Sequence, residues 1–211
     1  MLYILGIDNG YNGAIAILNE RREVIIHDMP VVTEIRTKGK KKTTRQHYDK
    51  YAMITMLRNY THPDSLPESL KKESLVTPED QVFIFLEQAH PMKGKIGGGN
   101  GSPQGNFRTG FGSGLWQMGL TANQISYQEV HSKTWQTTFF KGIMGADTKQ
   151  KSFAVANQLY PRYAELFRGP RGAVKDGRTD ALLIAEYGLR QVLGGALPTQ
   201  QTETELDEDD D

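Results

Sequence analysis

The chain of 211 residues contains no cysteine. This absence excludes disulfide bonds and thiolate metal sites, and it is compatible with a reducing compartment. No apolar run approaches the ~20 residues that are needed to span a membrane. The first apolar strand begins at residue 2, which is not expected of a chain with a leader peptide. We therefore expect an intracellular protein without a membrane segment.

The formal net charge is zero, but the two signs of charge are unevenly distributed. Seven acids occupy the last nine positions, and residues 1–202 carry 25 basic against 18 acidic side chains. A basic body favours a polyanionic partner. We predict one domain over residues 1–195 and a disordered acidic tail over residues 196–211. The tail is either a solvated segment without function or a mimic of the polyanion.

The first strand ends in an acid. The apolar run 2–7 is followed by Asp8, a glycine-containing turn and a second apolar run over residues 14–18. This pattern predicts a β-hairpin with a carboxylate at its mouth. Taken alone, Asp8 is equally well explained by the local hydrogen bonds that Asp and Asn make in turns. A third strand over residues 23–28 completes a predicted antiparallel meander.

Residues 31–46 are predicted to be a basic insertion, either a hairpin or a loop. Its functional interpretation is an arm that contacts phosphates, and the alternative is a mobile, solvated loop. A helix is predicted to follow over residues 47–60, because apolar side chains recur there at helical spacing. The lysines of the insertion that we expect to bind DNA are Lys40, Lys41 and Lys42.

A second segment with candidate DNA contacts is rich in glycine. Ten of the 22 glycines lie between Met92 and Gly119. Glycine allows the backbone to approach a partner closely, while basic and aromatic side chains meet phosphates and bases. We predict a DNA-contacting flap over residues 91–112 that becomes a helix near Gly112, with a plain disordered loop as the alternative. Its candidate contact residues are Lys93, Lys95, Phe107 and Arg108.

Two lysines begin a predicted helix near residue 149. Lys149 and Lys151 fall in its first turn, where cations oppose the helix dipole. Local stability therefore does not explain them. An anionic ligand such as a DNA phosphate is the functional interpretation.

Three further acids are candidates to join Asp8. Glu87 ends an apolar strand over residues 81–87, and Asp176 and Asp180 lie four residues apart at the start of the last predicted helix. The helix pair alone is also explained as a cap and a first-turn acid. Converging carboxylates without a cation would repel one another, whereas Mg²⁺ or Mn²⁺ would keep them ionised. Two such ions about 4 Å apart could clamp a phosphodiester.

Three motifs of the chain resemble the acidic motifs of the RuvC family of Holliday-junction resolvases, and most closely its phage and organellar branch: Gly6-Ile-Asp8-Asn-Gly10, Phe85-Leu-Glu87 and Asp176-Gly-Arg-Thr-Asp180-Ala-Leu-Leu-Ile-Ala-Glu-Tyr-Gly188. The similarity spans residues 2–193. The resemblance implies an α/β, RNase H-like fold with a five-stranded mixed sheet flanked by helices. It also implies a homodimer that nicks two opposed strands of a four-way junction with Mg²⁺.

By this resemblance the metal-binding catalytic acids are Asp8, Glu87, Asp176 and Asp180. Bacterial members usually place the next-to-last ligand three residues before the final Asp, where this chain has Gly177. The expected location is the cytoplasm of a bacterium or of a phage-infected cell, with an organelle as the alternative.

Two other functions are compatible with parts of the pattern. One is a non-catalytic junction-binding protein of the same fold. The other is an actin-like phosphotransferase, whose phosphate loop also reads Gly-Ile-Asp-x-Gly. That class needs two such domains and a second nucleotide-binding turn, and 211 residues barely hold one domain.

Overall fold

The structure is a computed structural model that describes residues 1–38, 41–62, 76–77, 79–91 and 102–195, with Lys38 and Lys41 described at the backbone only. Within these ranges, no helix has both the length and the apolar character that crossing a membrane requires. In chain order the elements are β1 (Leu2–Ile7), β2 (Ala14–Asn19), β3 (Val24–Asp28), β4 (Val31–Lys38), β5 (Lys41–Tyr48), α1 (Lys50–Thr61), β6 (Gln81–Glu87), α2 (Pro103–Ala122), β7 (Tyr127–Val130), α3 (Ser132–Phe140), α4 (Thr148–Leu159), a 3-10 helix (Pro161–Phe167) and α5 (Asp176–Leu193).

Five strands form one mixed sheet in the order β3-β2-β1-β6-β7. The first three strands pair antiparallel, whereas β6 is parallel to β1 and β7 is parallel to β6. The predicted five-stranded mixed sheet with its antiparallel meander is thereby confirmed. In the register of β1 and β6, Ile7 lies opposite Leu86. The next positions along the two strands, Asp8 and Glu87, therefore lie side by side at one edge of the sheet.

Helices cover both faces of the sheet, because successive side chains of a strand point to opposite faces. On one face, Ile4 and Phe85 pack into a core with α3, α4 and α5. On the other face, Leu5 and Ile84 pack into a second core with α1 and α2. The apolar run Ala181–Ala185 of α5 is completely buried in the first core. This packing holds the start of α5 close to the end of β1.

The predicted basic insertion contains a two-stranded antiparallel ribbon, β4 and β5, that is separate from the main sheet. Because β5 continues to Tyr48, the next helix begins at Lys50, three residues later than the sequence predicts. Asp49 caps this helix by accepting a hydrogen bond from the backbone N–H of Ala52. The base of the ribbon is thereby attached to a helix that packs on the sheet.

Helix α2 begins at Pro103, whereas the sequence predicts a helix from near Gly112. The residues that begin this helix are typical of a helix start. Ser102 is the N-cap, and its hydroxyl accepts a hydrogen bond from the backbone N–H of Gly105 at 3.0 Å, while proline suits the first helical position. The glycines argued against a helix, since each costs about 1 kcal/mol relative to alanine. Residues 92–101 of the predicted flap lie outside the described residues.

Candidate active site

Asp8 and Glu87 are tied together through the backbone that follows β1. The side-chain amide of Asn9 donates a hydrogen bond to the backbone carbonyl of Glu87 at 2.6 Å. The hydroxyl of Tyr48, from the base of the ribbon, donates to the backbone carbonyl of Asn9 at 2.9 Å. The edge of the sheet that carries the two acids is therefore fixed to its neighbouring strand and to the ribbon.

Two glycines let α5 approach this edge of the sheet. A Cβ on Gly6 would lie 2.2 Å from the carbonyl oxygen of Ala181, and a Cβ on Gly177 would lie 2.1 Å from that of Asn12. Atoms at such distances overlap, so only glycine fits at either position. The first turns of α5 consequently lie directly against β1 and the turn that follows it.

This packing brings the four predicted acids together. Burial is the main cause that raises the pKa of Asp8 to about 6, and the charge of Asp176 adds to it. The hydrogen bond that Asp8 accepts from the backbone N–H of Gly10 acts in the opposite direction. Burial, and then the charge of Asp8, raises the pKa of Asp180 to about 7. Burial, and then the charges of Asp8 and Asp180, raises the pKa of Glu87 to about 8. Negative charge is therefore crowded at this point of the protein.

Two contacts hold the side chains of the acids, and one carboxylate oxygen has no hydrogen-bond partner. The indole N–H of Trp135 donates to a carboxylate oxygen of Glu87 at 3.3 Å. Lys149 forms an ion pair with Asp176, and this pairing raises the pKa of the lysine. By contrast, Oδ1 of Asp180 is buried without a hydrogen-bond partner. A buried, unpartnered carboxylate oxygen requires a compensating ligand.

The donor chemistry of the site fits a divalent cation. Among the residues that the structure describes, no three His, Asp or Glu side chains are already arranged to share one metal ion. The available donors are nevertheless all carboxylate oxygens, which are the ligands that Mg²⁺ and Mn²⁺ prefer. A cation would also satisfy Oδ1 of Asp180, and it would offset the burial and, secondarily, the repulsion that raise the three pKa values. The residues present are therefore suited to bind Mg²⁺ or Mn²⁺.

An open groove of about 550 Å³ runs over the acids. Asp8, Glu87 and Asp176 line it together with Lys149. One wall is the base of the ribbon, and the other is the beginning of α2, where Arg108 is located. The remaining lining residues come from the turn after β1, from β5, from α2 with its N-cap, and from α5: Asn9, Gly10, Tyr11, Asn12, Gly13, Gln46, Tyr48, Ser102, Gln104, Gly105, Asn106, Thr109 and Gly177.

Aromatic rings connect the groove to the outer surface of α2. Tyr48 stacks on Tyr11 with ring centroids 4.2 Å apart, and Phe111 packs against Tyr48 at 6.2 Å. Phe107 stacks in turn on Phe111 at 6.1 Å and is 71% exposed. The side chain of Phe107 therefore offers a free aromatic face close to the groove.

The remaining predicted DNA contacts are placed unequally. Lys42 is exposed on β5, and Lys151 is half-buried in α4, outside the lining of the groove. The other four are Lys40, Lys93 and Lys95, which lie outside the described residues, and Lys41, whose side chain is not described.

Sequence reasoning missed three residues that support the acids: Asn9, Tyr48 and Trp135. Only Trp135 gave a usable signal, because a buried indole N–H normally finds a hydrogen-bond partner. The sequence predicts that Tyr48 lies in a helix. Its contact with Asn9 depends on the position of the ribbon, which the sequence does not indicate.

We expect the stability of the metal-free protein to decrease between about pH 4.5 and pH 8. The pKa of Glu87 rises from 4.5 to about 8 on folding, so the folded protein retains a proton that the unfolded chain releases in this interval. Stability falls with pH wherever the folded state binds more protons. Thermal unfolding in chelator should therefore show the midpoint of the wild type falling relative to that of Glu87→Gln as the pH rises. A pH-independent difference between the two proteins would contradict this expectation.

Known proteins were compared with the chain at the level of sequence and of structure. No family model and no curated protein sequence matches. The structure of T. thermophilus RuvC in complex with Holliday junction substrate is similar with a TM-score of 0.50 and 8% identity, covering 93% of this chain and 98% of that chain. A second Thermus thermophilus RuvC structure has a TM-score of 0.41 and 11% identity, covering 91% and 96%. The first similarity shows that the fold of this chain is RuvC-like.

Proposed function

We propose that the chain is a divalent-metal-dependent endodeoxyribonuclease that resolves Holliday junctions or other branched DNA by paired nicks. The observation that carries this proposal is a groove lined by Asp8, Glu87 and Asp176 together with Lys149 and Arg108, with Asp180 close enough for the charge of Asp8 to raise its pKa. The RuvC-like fold supports the same conclusion. The motif resemblance further suggests the phage and organellar type of resolvase.

In this proposal Asp8, Glu87, Asp176 and Asp180 hold two Mg²⁺ ions, for which Mn²⁺ can substitute. When bound, the ions supply activation of a water molecule and stabilisation of the leaving oxygen. Asp8, whose charge raises the pKa of both Glu87 and Asp180, would hold the ions together with those two acids. Asp176, on the open side of the groove, orients or deprotonates the attacking water.

Basic and aromatic side chains around the acids hold the DNA. Lys149, which is paired with Asp176, is placed to exchange that carboxylate for the scissile phosphate. Arg108 on the opposite wall contacts a neighbouring phosphate, and the free face of Phe107 stacks on a base. Lys151 and the lysines of the two predicted DNA-contacting segments add attraction to the backbone: Lys40, Lys41, Lys42, Lys93 and Lys95.

A homodimer is part of the proposal. Two nicks on opposed strands need two active sites, and a two-fold axis in the protein would match the two-fold symmetry of a four-way junction. Each copy would then cut one strand.

The proposal is tested with labelled four-way junction, flap and plain duplex DNA, each incubated with the protein in Mg²⁺, in Mn²⁺ and in chelator. We expect symmetric nicks in the junction only when a divalent cation is present. Equal cutting of plain duplex would contradict the proposed specificity for junctions, although the protein would still be a nuclease. Junction binding without cleavage in either cation would instead identify the non-catalytic alternative.

A further inference from the structure

The register of the ribbon decides which of its side chains face the groove. Gln46 and Tyr48 of β5 both line the groove, so alternate residues of β5 point the same way. Residues directly opposite each other on β4 share that face. We call this surface the groove face. It begins at the base of the ribbon with the cross-strand partners Val31 and Tyr48 and continues with Thr33, Ile35, Thr37, Lys42, Thr44 and Gln46.

Among the ribbon residues whose side chains the structure describes, the opposite surface, which we call the outer face, consists of Val32, Glu34, Arg36, Thr43, Arg45 and His47, and the register continues it to the backbone pair Lys38 and Lys41. Its charges partly neutralise one another. Glu34 forms ion pairs with Arg36 at 2.9 Å and with His47 at 3.4 Å. These three residues lie on one face, as the register requires, and the ion pairs therefore independently support the assignment of faces.

The groove face has a different chemistry. It contains no carboxylate, and Lys42 is its one cation. The other side chains are three threonines, a glutamine and Ile35, which is 66% exposed. Hydroxyl and amide groups make hydrogen bonds to phosphates and to base edges alike, whereas an exposed aliphatic side chain has a partner only at the bases, where it contacts the thymine methyl group. The composition of the groove face therefore favours contact with bases.

We propose that the groove face of the ribbon enters the major groove of a DNA duplex arm, where Ile35 packs against the bases. A two-stranded β-ribbon fits the major groove, and aliphatic side chains make contact there with thymine methyl groups. The inference rests on the proposed function. It adds a contact with bases to the attraction of the DNA backbone that is proposed for the lysines of the insertion. DNA is the assigned occupant because the groove face continues the wall of the acidic groove and Lys42 adds positive charge.

The position of this contact follows from the length of the ribbon. Thr44, the partner of Ile35, lies four residues beyond Tyr48. At about 3.3 Å per residue this distance is roughly 13 Å. A duplex rises about 3.4 Å per base pair, so Ile35 contacts bases roughly four pairs from the point where the DNA enters the groove.

The test compares Ile35→Ala with Val32→Ala. Val32 is an aliphatic residue of the same strand, 52% exposed, and lies on the outer face. Both substitutions remove exposed aliphatic groups, so both variants should keep the thermal midpoint of the wild type. Binding of a labelled four-way junction is measured in chelator by fluorescence anisotropy. We expect Ile35→Ala to raise the Kd about tenfold and Val32→Ala to change it by less than about twofold.

A second measurement identifies what Ile35 touches. A photo-crosslinking residue, p-benzoylphenylalanine, is placed at position 35 or at position 32, and the products formed with junction DNA are mapped. We expect crosslinks to DNA from position 35 alone, on bases roughly four pairs from the point where the duplex enters the groove. Crosslinks from position 35 to a second copy of this chain would overturn the assignment to DNA.

The outcomes separate this inference from the proposed function. If the wild type cleaves junctions in Mg²⁺ but the two alanine variants bind equally well, the ribbon contact is wrong and the nuclease stands. If Ile35→Ala alone weakens binding but no protein cleaves in Mg²⁺ or Mn²⁺, the ribbon contact stands and the nuclease is wrong.

Discussion

Replacing Asp8 by Asn is expected to lower the rate of junction cleavage by about a thousandfold or more, while the Kd for the junction changes by less than about twofold. Asp8 is half-buried where β1, β6 and α5 meet, and its charge raises the pKa of both Asp180 and Glu87. If Asp8 helps to hold the proposed cations, its removal weakens their binding, and a loss of about 4 kcal/mol of transition-state stabilisation corresponds to three orders of magnitude in rate.

A matched control for this substitution is Asp147→Asn. Asp147 is exposed and caps α4 by accepting a hydrogen bond from the backbone N–H of Gln150, a role that Asn fills equally well. The control loses the same charge and should cleave at the wild-type rate. Single-turnover cleavage with saturating protein separates the rate from binding. Wild-type cleavage by Asp8→Asn would remove Asp8 from the mechanism.

Gly6→Ala is expected to destabilise the fold by about 3 kcal/mol. The new Cβ would lie 2.2 Å from the carbonyl oxygen of Ala181 and 2.4 Å from the amide nitrogen of Ala185. Both are backbone atoms of a buried helix, so no side-chain rotation can relieve the overlap. Helix α5 must move away from β1, which also separates Asp180 from Asp8. Urea unfolding measures the decrease in the free energy of unfolding. The cleavage rate at low temperature, where the variant is still folded, tests whether the acids have moved apart.

Gly114→Ala provides the comparison for that substitution. Gly114 is exposed on α2, and a Cβ there would meet no heavy atom within 4 Å. Alanine at an exposed helical position should therefore raise the free energy of unfolding by up to about 1 kcal/mol. Equal stability of Gly6→Ala and Gly114→Ala would show that α5 does not pack on β1 as described.

The sheet and the meeting of the acids were predictable because they depend on local patterns. Apolar runs identified the strands, and the acids at their ends needed only adjacent strands to become neighbours. The start of α2 was not predictable from propensity, because Gly112 is required by tertiary packing. A Cβ on Gly112 would lie 2.2 Å from the hydroxyl oxygen of Tyr48 and 2.7 Å from the carbonyl oxygen of Asn9. Tertiary contacts of this kind override the local cost of glycine in a helix.

The sequence also could not rank the two lysines at the start of α4. Lys149 and Lys151 both oppose the helix dipole, and nothing in their spacing distinguishes them. The structure separates them, because Lys149 pairs with Asp176 and lines the groove whereas Lys151 does not line it. Which of two neighbouring helical residues meets a ligand depends on the rotation of the helix about its axis, and packing with α5 sets that rotation.

The hydrogen bond of Tyr48 fixes the base of the ribbon, whereas the part beyond the base can be shortened. Cross-strand pairs can be deleted from the tip of the ribbon, Lys38 with Lys41 and then Thr37 with Lys42, without disturbing the hydrogen bond from Tyr48 to Asn9. Each deletion would shorten the ribbon by about 3.3 Å, or one base pair of duplex. A graded series of shortened proteins would therefore measure how far from the acidic groove the proposed contact with DNA extends.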